Sequence, residues 1–204
     1  PNLRMILSKF SCPVFEMSFE SAEITKAAIN LYLATSVTFA NTLSDYCENF
    51  NGNIYDIIPA LKSDKRIGNY AYINPSLRIA GGHLERDLLM LKKLADKKKI
   101  SSGIVSKIIE ENDKRYLWIE RQIKKISSKK PVKKISLWGL SYKKNSTSVE
   151  NATSIKIINR FGNKYLIAAY DPLAKFFNNS KFVRTEDKYI ALKNSDVLIL
   201  LTDW

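Results

Sequence analysis

The sequence predicts an α + α/β chain: an all-helical first part with a long connecting helix, then a Rossmann-like parallel-sheet domain. Three observations predict it. From Ala22 to about Phe50, and again from Ser101 to Ile126, apolar residues recur at three- and four-residue steps, the period of an amphipathic helix. Beyond Ser127-Ser-Lys-Lys-Pro131 the pattern switches to strands alternating with helices in β-α-β-α-β order. The run Asp196-Val-Leu-Ile-Leu-Leu201 is continuously apolar, as in a parallel strand buried on both faces.

Each element has its own signal. Residues 1–17 read as a short amphipathic piece and then a strand around Pro13–Met17. Ser21 is the expected N-cap of the first long helix, with charge and good helix formers behind it. Ile24, Ala27, Ala28, Leu31, Ala34 and Thr35 mark its apolar face, and the span fits one long helix or two with a kink. Asn51-Gly52-Asn53 is a turn. Ile54–Leu61 reads as a short helix, Ser63–Gly68 as a polar loop, and Asn69–Ile79 as irregular chain around Pro75. Glu85–Ala95 is helical. Ser101–Ile126 is a second long helix, with an isoleucine stripe opposite Lys107, Lys114, Arg121, Lys124 and Lys125. In the sheet domain, strands are expected at Ile135–Leu140, Tyr165–Tyr170 and Asp196–Leu201, and helices at Ala152–Phe161 and Asp187–Lys193. Ligands of such sheets sit at the carboxyl ends of the strands, here Gly139 to Lys144, Asp171-Pro172 and Thr202-Asp203.

Composition narrows the function classes. An apolar fraction of 45 % over 204 residues supports real cores. The formal charge of +13, from 33 basic and 20 acidic residues, favours anionic partners. The lysines crowd between Lys92 and Lys134 without a recognised motif or the interleaved aromatics that base stacking needs, which argues against nucleic acid. Cys12 and Cys47 are too far apart for a metal motif or a disulfide framework, so a reducing cytoplasm is the expected location and no metal is expected. No apolar run is long enough to span a membrane. Both ends read as cuts, and a fragment of a longer protein is expected.

One stretch organises the rest: Asn74-Pro-Ser-Leu-Arg-Ile-Ala-Gly-Gly-His-Leu-Glu-Arg-Asp87. It carries a Gly-Gly pair, the only histidine and an acid four residues on. Glycines let backbone approach a ligand closely, and a histidine with a carboxylate can move a proton near neutral pH. Alone, the same pattern is ordinary loop chemistry before a helix.

The flanking segments add to it, in order: Ala22-Glu-Ile-Thr-Lys26-Ala-Ala-Ile-Asn30-Leu-Tyr-Leu-Ala34, Asp64-Lys-Arg66-Ile-Gly68, Gly81-Gly82 with Asp87, Lys134-Ile-Ser-Leu-Trp-Gly139-Leu-Ser-Tyr-Lys143-Lys-Asn145, Ala152-Thr-Ser154, Tyr170-Asp171-Pro172 and Leu201-Thr-Asp-Trp204. This ordered set resembles the UDP-glucose/GDP-mannose dehydrogenase family, the NAD-dependent nucleotide-sugar 6-dehydrogenases, over nearly the whole chain. The resemblance implies residues 1–17 as the tail of a missing NAD-binding domain, 18–126 as a helical central dimerisation domain, and 127–204 as a nucleotide-sugar-binding domain. NAD would be bound mainly by the missing domain, and the partners implied are a nucleotide sugar (UDP-sugar favoured) and a second copy joined through the central helices.

The resemblance also implies roles. The family oxidises a C6 hydroxyl to a carboxylate in two hydride transfers. Lys26 and Asn30, one turn apart, match the pair that stabilises charge on the reacting oxygen. Asp87 matches the acid that assists water or proton transfer. Arg66 matches an arginine that reaches the sugar nucleotide of the partner subunit, Gly81 and Gly82 the substrate-binding glycines, and Lys143 a lysine near the substrate phosphates. The departures are as informative. Where the family carries Gly-Gly-Ser-Cys or Gly-Gly-His-Cys, with a cysteine thiolate that forms a thiohemiacetal and then a thioester, this chain reads Gly81-Gly82-His83-Leu84-Glu85-Arg86-Asp87. The segment is one residue shorter, two residues are inserted upstream, and Ile79-Ala80 replaces Gly-Phe. Leucine cannot form a thioester, and histidine is a poor substitute. Lys144 stands where a proline is usual and Glu150 where an arginine is usual. Two readings follow: an oxidoreductase that bypasses the cysteine, stopping at the aldehyde or using His83 or Asp87 as base, or a nucleotide-sugar-binding and dimerisation protein without turnover.

Overall fold

The computed structural model describes residues 3–175 and 180–204; of the segment expected over 1–17, residues 1 and 2 lie outside the described residues. A short helix α1 (Leu3–Leu7) and a 3-10 turn (Ser8–Phe10) open the chain, with Leu3, Met5, Ile6 and Phe10 exposed. The strand expected around Pro13–Met17 does not form. No neighbouring strand pairs with this segment, Pro13 has no N–H to offer, and an unpaired strand has no ladder to stabilise it.

Helix α2 (Phe19–Asn49) then runs unbroken for 31 residues. Its N-cap is Ser18, not Ser21. Ser18 is extended (ψ 161°) and its Oγ accepts the Ser21 N–H at 3.2 Å, whereas Ser21 is already helical. A cap needs the non-helical backbone that Ser18 has. The buried face carries Ala27, Ala34, Val37, Ala40, Asn41 and Cys47, mostly small side chains. They admit α4 (Gly82–Lys98) and α5 (Gly103–Lys114) at close range, and Ala34, Val37, Ile79, Leu88, Val105 and Ile108 form one core. Helix α3 (Ile54–Ser63), capped by Asn53 Oδ1 on the Tyr55 N–H, closes a second core with Ala40, Cys47 and Ile73.

The single helix expected over 101–126 is two: α5 ends at Lys114, and α6 spans Tyr116–Ser127. The interruption has a specific cause. The Asn112 carbonyl accepts the Arg78 Nε–H at 3.2 Å and meets the Arg115 N–H at 3.4 Å, three residues on. A side chain from outside has entered the helical ladder. Helix α6 then turns Ile119 and Ile123 into the core of the sheet domain.

Four parallel strands, β1 (Lys134–Trp138), β2 (Leu166–Tyr170), β3 (Val183–Arg184) and β4 (Val197–Leu200), lie in the order β3-β2-β1-β4. The short β3 escapes the sequence pattern because two residues have no period. Helix α7 (Thr153–Phe161) covers one face with Ile157, Ile158 and Phe161 on Ile135, Leu137, Ile167 and Ala169. The opposite face carries α8 (Lys188–Leu192), whose Tyr189 meets Trp138 edge-on. Strand β4 is not buried on both faces as its composition suggests. Val197 and Ile199 face inward, while Leu198 and Leu200 are 36 % and 63 % exposed. An apolar run cannot distinguish a central strand from an edge strand with one uncovered face.

The carboxyl ends of the strands are tied together by Asp171, buried after β2. Its Oδ2 accepts the Leu140 N–H, the Ser141 N–H and the Ser141 hydroxyl at 2.7, 2.9 and 3.0 Å, and its Oδ1 accepts the N–H groups of Leu173 and Ala174. Burial pushes its carboxyl pKa up, but these donors outweigh burial and hold it below the ordinary carboxylate value. Asp196, which joins the starts of β1 and β4 through the Lys133 and Lys134 N–H groups and the Lys130 ammonium, is lowered to about 2. A lowered folded-state pKa gives stability that is complete above the unfolded value and lost as pH falls through the folded one. Asp171→Asn is expected to cost about 3 kcal/mol at pH 7. Urea unfolding across pH 2–6 checks it: the wild-type chain loses stability below about pH 4, and the variant gives a flatter acid limb.

Candidate active site

Helix α2 supplies Lys26 and Asn30 on one face, and α4 supplies Asp87 from its second turn. Asp87 is only 3 % exposed. Its Oδ2 takes the Lys26 ammonium and, at 2.6 Å, the Asn30 amide. Its Oδ1 takes the Arg86 guanidinium at 3.3 Å. The Lys26 hydrogen bond is the main reason the Asp87 carboxyl is held below its ordinary pKa; burial opposes it, and Asn30 and Arg86 add to the lowering. Asp87 is therefore an anion at neutral pH, and the half-exposed Lys26 and the Asn30 amide are held at fixed positions above it.

Helix α4 begins earlier than its apolar pattern suggests, at Gly82, with Gly81 as N-cap at φ 89°. Glycine is needed at 81 twice over: the φ is left-handed, and a Cβ there would stand 2.8 Å from the Tyr142 ring. A glycine cap has no side chain to satisfy the first-turn N–H groups, which are left for other acceptors. The helical frame also separates His83 from Leu84. His83 is exposed and lies one turn before Asp87, on the same side. Leu84 turns into the core of Val37, Leu88 and Ile108. The side chain left outside the core just after the Gly-Gly turn is thus His83, and Leu84 is a packing residue.

The second wall comes from the sheet domain. Tyr142 lies on Gly81, the Glu150 carboxylate comes within 3.8 Å of where a Gly82 Cβ would be, and Lys143 Nζ stands 5.5 Å from the centre of the Tyr142 ring. Lys143 is exposed and shares this wall. Arg66 is not brought to the cluster within this chain. It sits on the exposed loop after α3, with its guanidinium and backbone N–H both on Asp64. Arg86 and Tyr142 belong to the site and were missed in the sequence. Arg86 was detectable as a cation beside the acid, whereas Tyr142 meets Gly81 only through the fold.

The crevice between β1 and β4, where the strand order reverses and dinucleotides usually bind, lacks the usual features of such a site. The turn reads Gly139-Leu-Ser-Tyr-Lys-Lys144, without a repeated glycine motif. Its Leu140 and Ser141 N–H groups are already taken by Asp171. Thr202 closes over Gly139, donating its hydroxyl to the Ser141 carbonyl at 2.7 Å. Among the described residues there is no cluster of metal-ligating side chains, and no helix is long and apolar enough to cross a membrane.

The geometry makes Asp87 titration a direct test of the cluster. Its side-chain carboxyl, followed by NMR, is expected to titrate below the ordinary aspartate value and to move up in Lys26→Met. An unchanged midpoint in that variant would mean that Lys26 does not hold the carboxylate.

Comparison with known proteins identifies the family. Residues 20–114 match the UDP-glucose/GDP-mannose dehydrogenase family, central domain, and residues 136–204 match the UDP binding domain of the same family. The UDP-glucose 6-dehydrogenase TuaD of Bacillus subtilis is 27 % identical over 202 residues, covering 96 % of this chain and 43 % of that protein. The UDP-glucose 6-dehydrogenase of Rickettsia felis is 26 % identical over 213 residues, covering 98 % of this chain and 47 % of that protein. The chain thus spans somewhat under half the length of these curated relatives. Among solved structures, a UDP-glucose dehydrogenase from the archaeon Pyrobaculum islandicum superposes with a TM-score of 0.82 at 20 % identity, covering 92 % of this chain and 44 % of that one. The UDP-N-acetyl-mannosamine dehydrogenase Cap5O of Staphylococcus aureus does so with a TM-score of 0.76 at 21 % identity, covering 93 % and 43 %. With a helical domain and a parallel-sheet domain both matched in order, the chain belongs to the UDP-glucose/GDP-mannose dehydrogenase family.

Proposed function

We propose that this chain is the substrate-holding part of an NAD-dependent nucleotide-sugar dehydrogenase acting on the C6 hydroxyl of a UDP-sugar. The observation that carries the reading is the Lys26–Asn30–Asp87 cluster, built from two helices and walled by the sheet domain. Lys26 and Asn30 would stabilise negative charge on the C6 oxygen as its proton leaves, an oxyanion-type role. Asp87 fixes both donors and is the nearby anion through which a proton can pass. Lys143 would meet the phosphates, and Gly81 and Gly82 would let the sugar approach backbone. The hydride acceptor, NAD in the family, is not accommodated by these residues, so the chain alone is expected to turn nothing over.

The thioester route has no thiol to run on. Cys47 is buried on α2, 21 residues and about 31 Å along the helix from Lys26. Cys12 is exposed on the irregular segment before α2. The turn that faces Asp87 offers His83. This supports oxidation that ends at the aldehyde. It also favours, as a second reading, a protein that binds the nucleotide sugar without turnover.

Calorimetry on the chain with UDP and UDP-glucose tests the binding half. Both are expected to bind, and Lys143→Ala is expected to weaken both by about tenfold. Absence of any UDP binding would reject the reading. For the polypeptide carrying this chain together with a dinucleotide-binding domain, we expect one NADH per UDP-sugar. Two would assign His83 or Asp87 to the second oxidation, and none would favour the binding protein.

Arg66 fits this reading only through a second copy. Helix α2 and its C-cap carry Ile29, Tyr32, Phe39, Tyr46 and Phe50 at three-, four- and seven-residue steps, each at least half exposed. Such a stripe is the seam of a helix–helix interface. A dimer in sedimentation is expected, and Phe39→Glu with Tyr46→Glu is expected to give a monomer. A wild-type monomer would leave Arg66 without a substrate role.

A further inference from the structure

Beside the Gly81-Gly82 turn lies a charge network, centred on the buried Arg78, that the proposed chemistry does not use. The Arg78 side chain is 5 % exposed. Its Nε–H donates to the Asn112 carbonyl, and its Nη2 reaches Asp113 at 3.1 Å and Glu85 Oε1 at 3.7 Å. The same Glu85 Oε1 meets Lys156 Nζ, on α7 of the sheet domain, at 3.4 Å. Among the described residues, two buried atoms of the network have no hydrogen-bond partner: Arg78 Nη1 and Glu85 Oε2. The neighbouring backbone is held hard, because Ile79 exchanges both of its hydrogen bonds with the Asn112 amide.

We propose that Arg78, Glu85 and Lys156 form an ionic strut that sets the spacing between the helical domain and the sheet domain, and so positions the nucleotide-sugar site. Three contacts join the first turn of α4 to the sheet domain: Tyr142 on Gly81, Glu150 beside Gly82, and Lys156 on Glu85. Only the last is an ion pair, and it is anchored at its inner end by a guanidinium whose departure would leave the Asn112 carbonyl and the largely buried Glu85 carboxylate without their partner. Glu85 lies two residues before Asp87, so the strut fixes the helix that carries the carboxylate against the domain that carries Lys143. Glu85 is thus a positioning residue, acting through α4 and not on the substrate.

The inference rests on the proposed site, and its test separates the two. UDP alone is to be held by the sheet domain, while UDP-glucose spans both domains. Lys156→Met and Glu85→Gln are expected to leave UDP affinity unchanged and to weaken UDP-glucose by about threefold to fivefold. The double variant should lose no more than either single one, since both cut the same link. Equal losses for UDP and UDP-glucose, no loss for either, or additive losses would overturn the strut. If the wild-type chain binds neither ligand, the site reading fails and hydrogen exchange decides the strut. The amides of residues 82–86 should exchange faster in both variants with those of 105–111 unchanged, and unchanged exchange at 82–86 would overturn it.

Discussion

The interaction on which the rest of the site depends is the docking of the Asp87 carboxylate onto Lys26 and Asn30. A buried carboxylate without partners would be costly, so α4 is stable against α2 only in the register that brings Asp87 to the lysine. The same register brings Leu88 onto Ala34 and Val37 and leaves His83 outside. Small residues along the buried face of α2 permit this closeness: a larger side chain at Ala27 or Ala34 would lift α4 and break the cluster before touching it. The electrostatics of the site and the packing of the helical core are therefore one constraint.

The sheet domain completes the site through its loops. In the turn after β1 the Leu140 and Ser141 N–H groups are held by Asp171, and Thr202 closes over Gly139. That arrangement makes the turn rigid, and a rigid turn can hold one edge of the Tyr142 ring against Gly81. The φ of 89° at Gly81 and the missing Cβ are both used by this one contact. Side-chain cations, Lys143 and Lys144, are what remain on the outer surface for an anion.

How much of this was legible in the sequence follows from how local each signal is. Lys26 and Asn30 stand at i and i+4 on a strongly patterned helix, so their shared face follows from helical period alone. The strands β1 and β2 were likewise visible, being apolar runs closed by Gly139 and Asp171. What escaped was set by distant partners. Nothing between Ser101 and Ile126 warns of a break at Arg115; the cause is Arg78, 34 residues from Asn112. The exposed side of β4 depends on its place at the edge of the described sheet and not on its own residues. The strand expected at Pro13–Met17 had adequate residues and no neighbour to pair with.

The reading of the Gly-Gly turn shows the same limit in chemical form. Read as a string, Gly81-Gly82-His83-Leu84 sets a leucine where a nucleophile would stand, and the function looks erased. Wound into α4 and counted from Asp87, the same residues turn the leucine into the core and leave the histidine exposed, one turn before the carboxylate. On the proposed function, an imidazole on this turn could pass a proton but makes no stable acyl link comparable to a thioester. A site with Lys26 and Asn30 as its oxyanion donors and no covalent handle would then be suited to one oxidation and not to two.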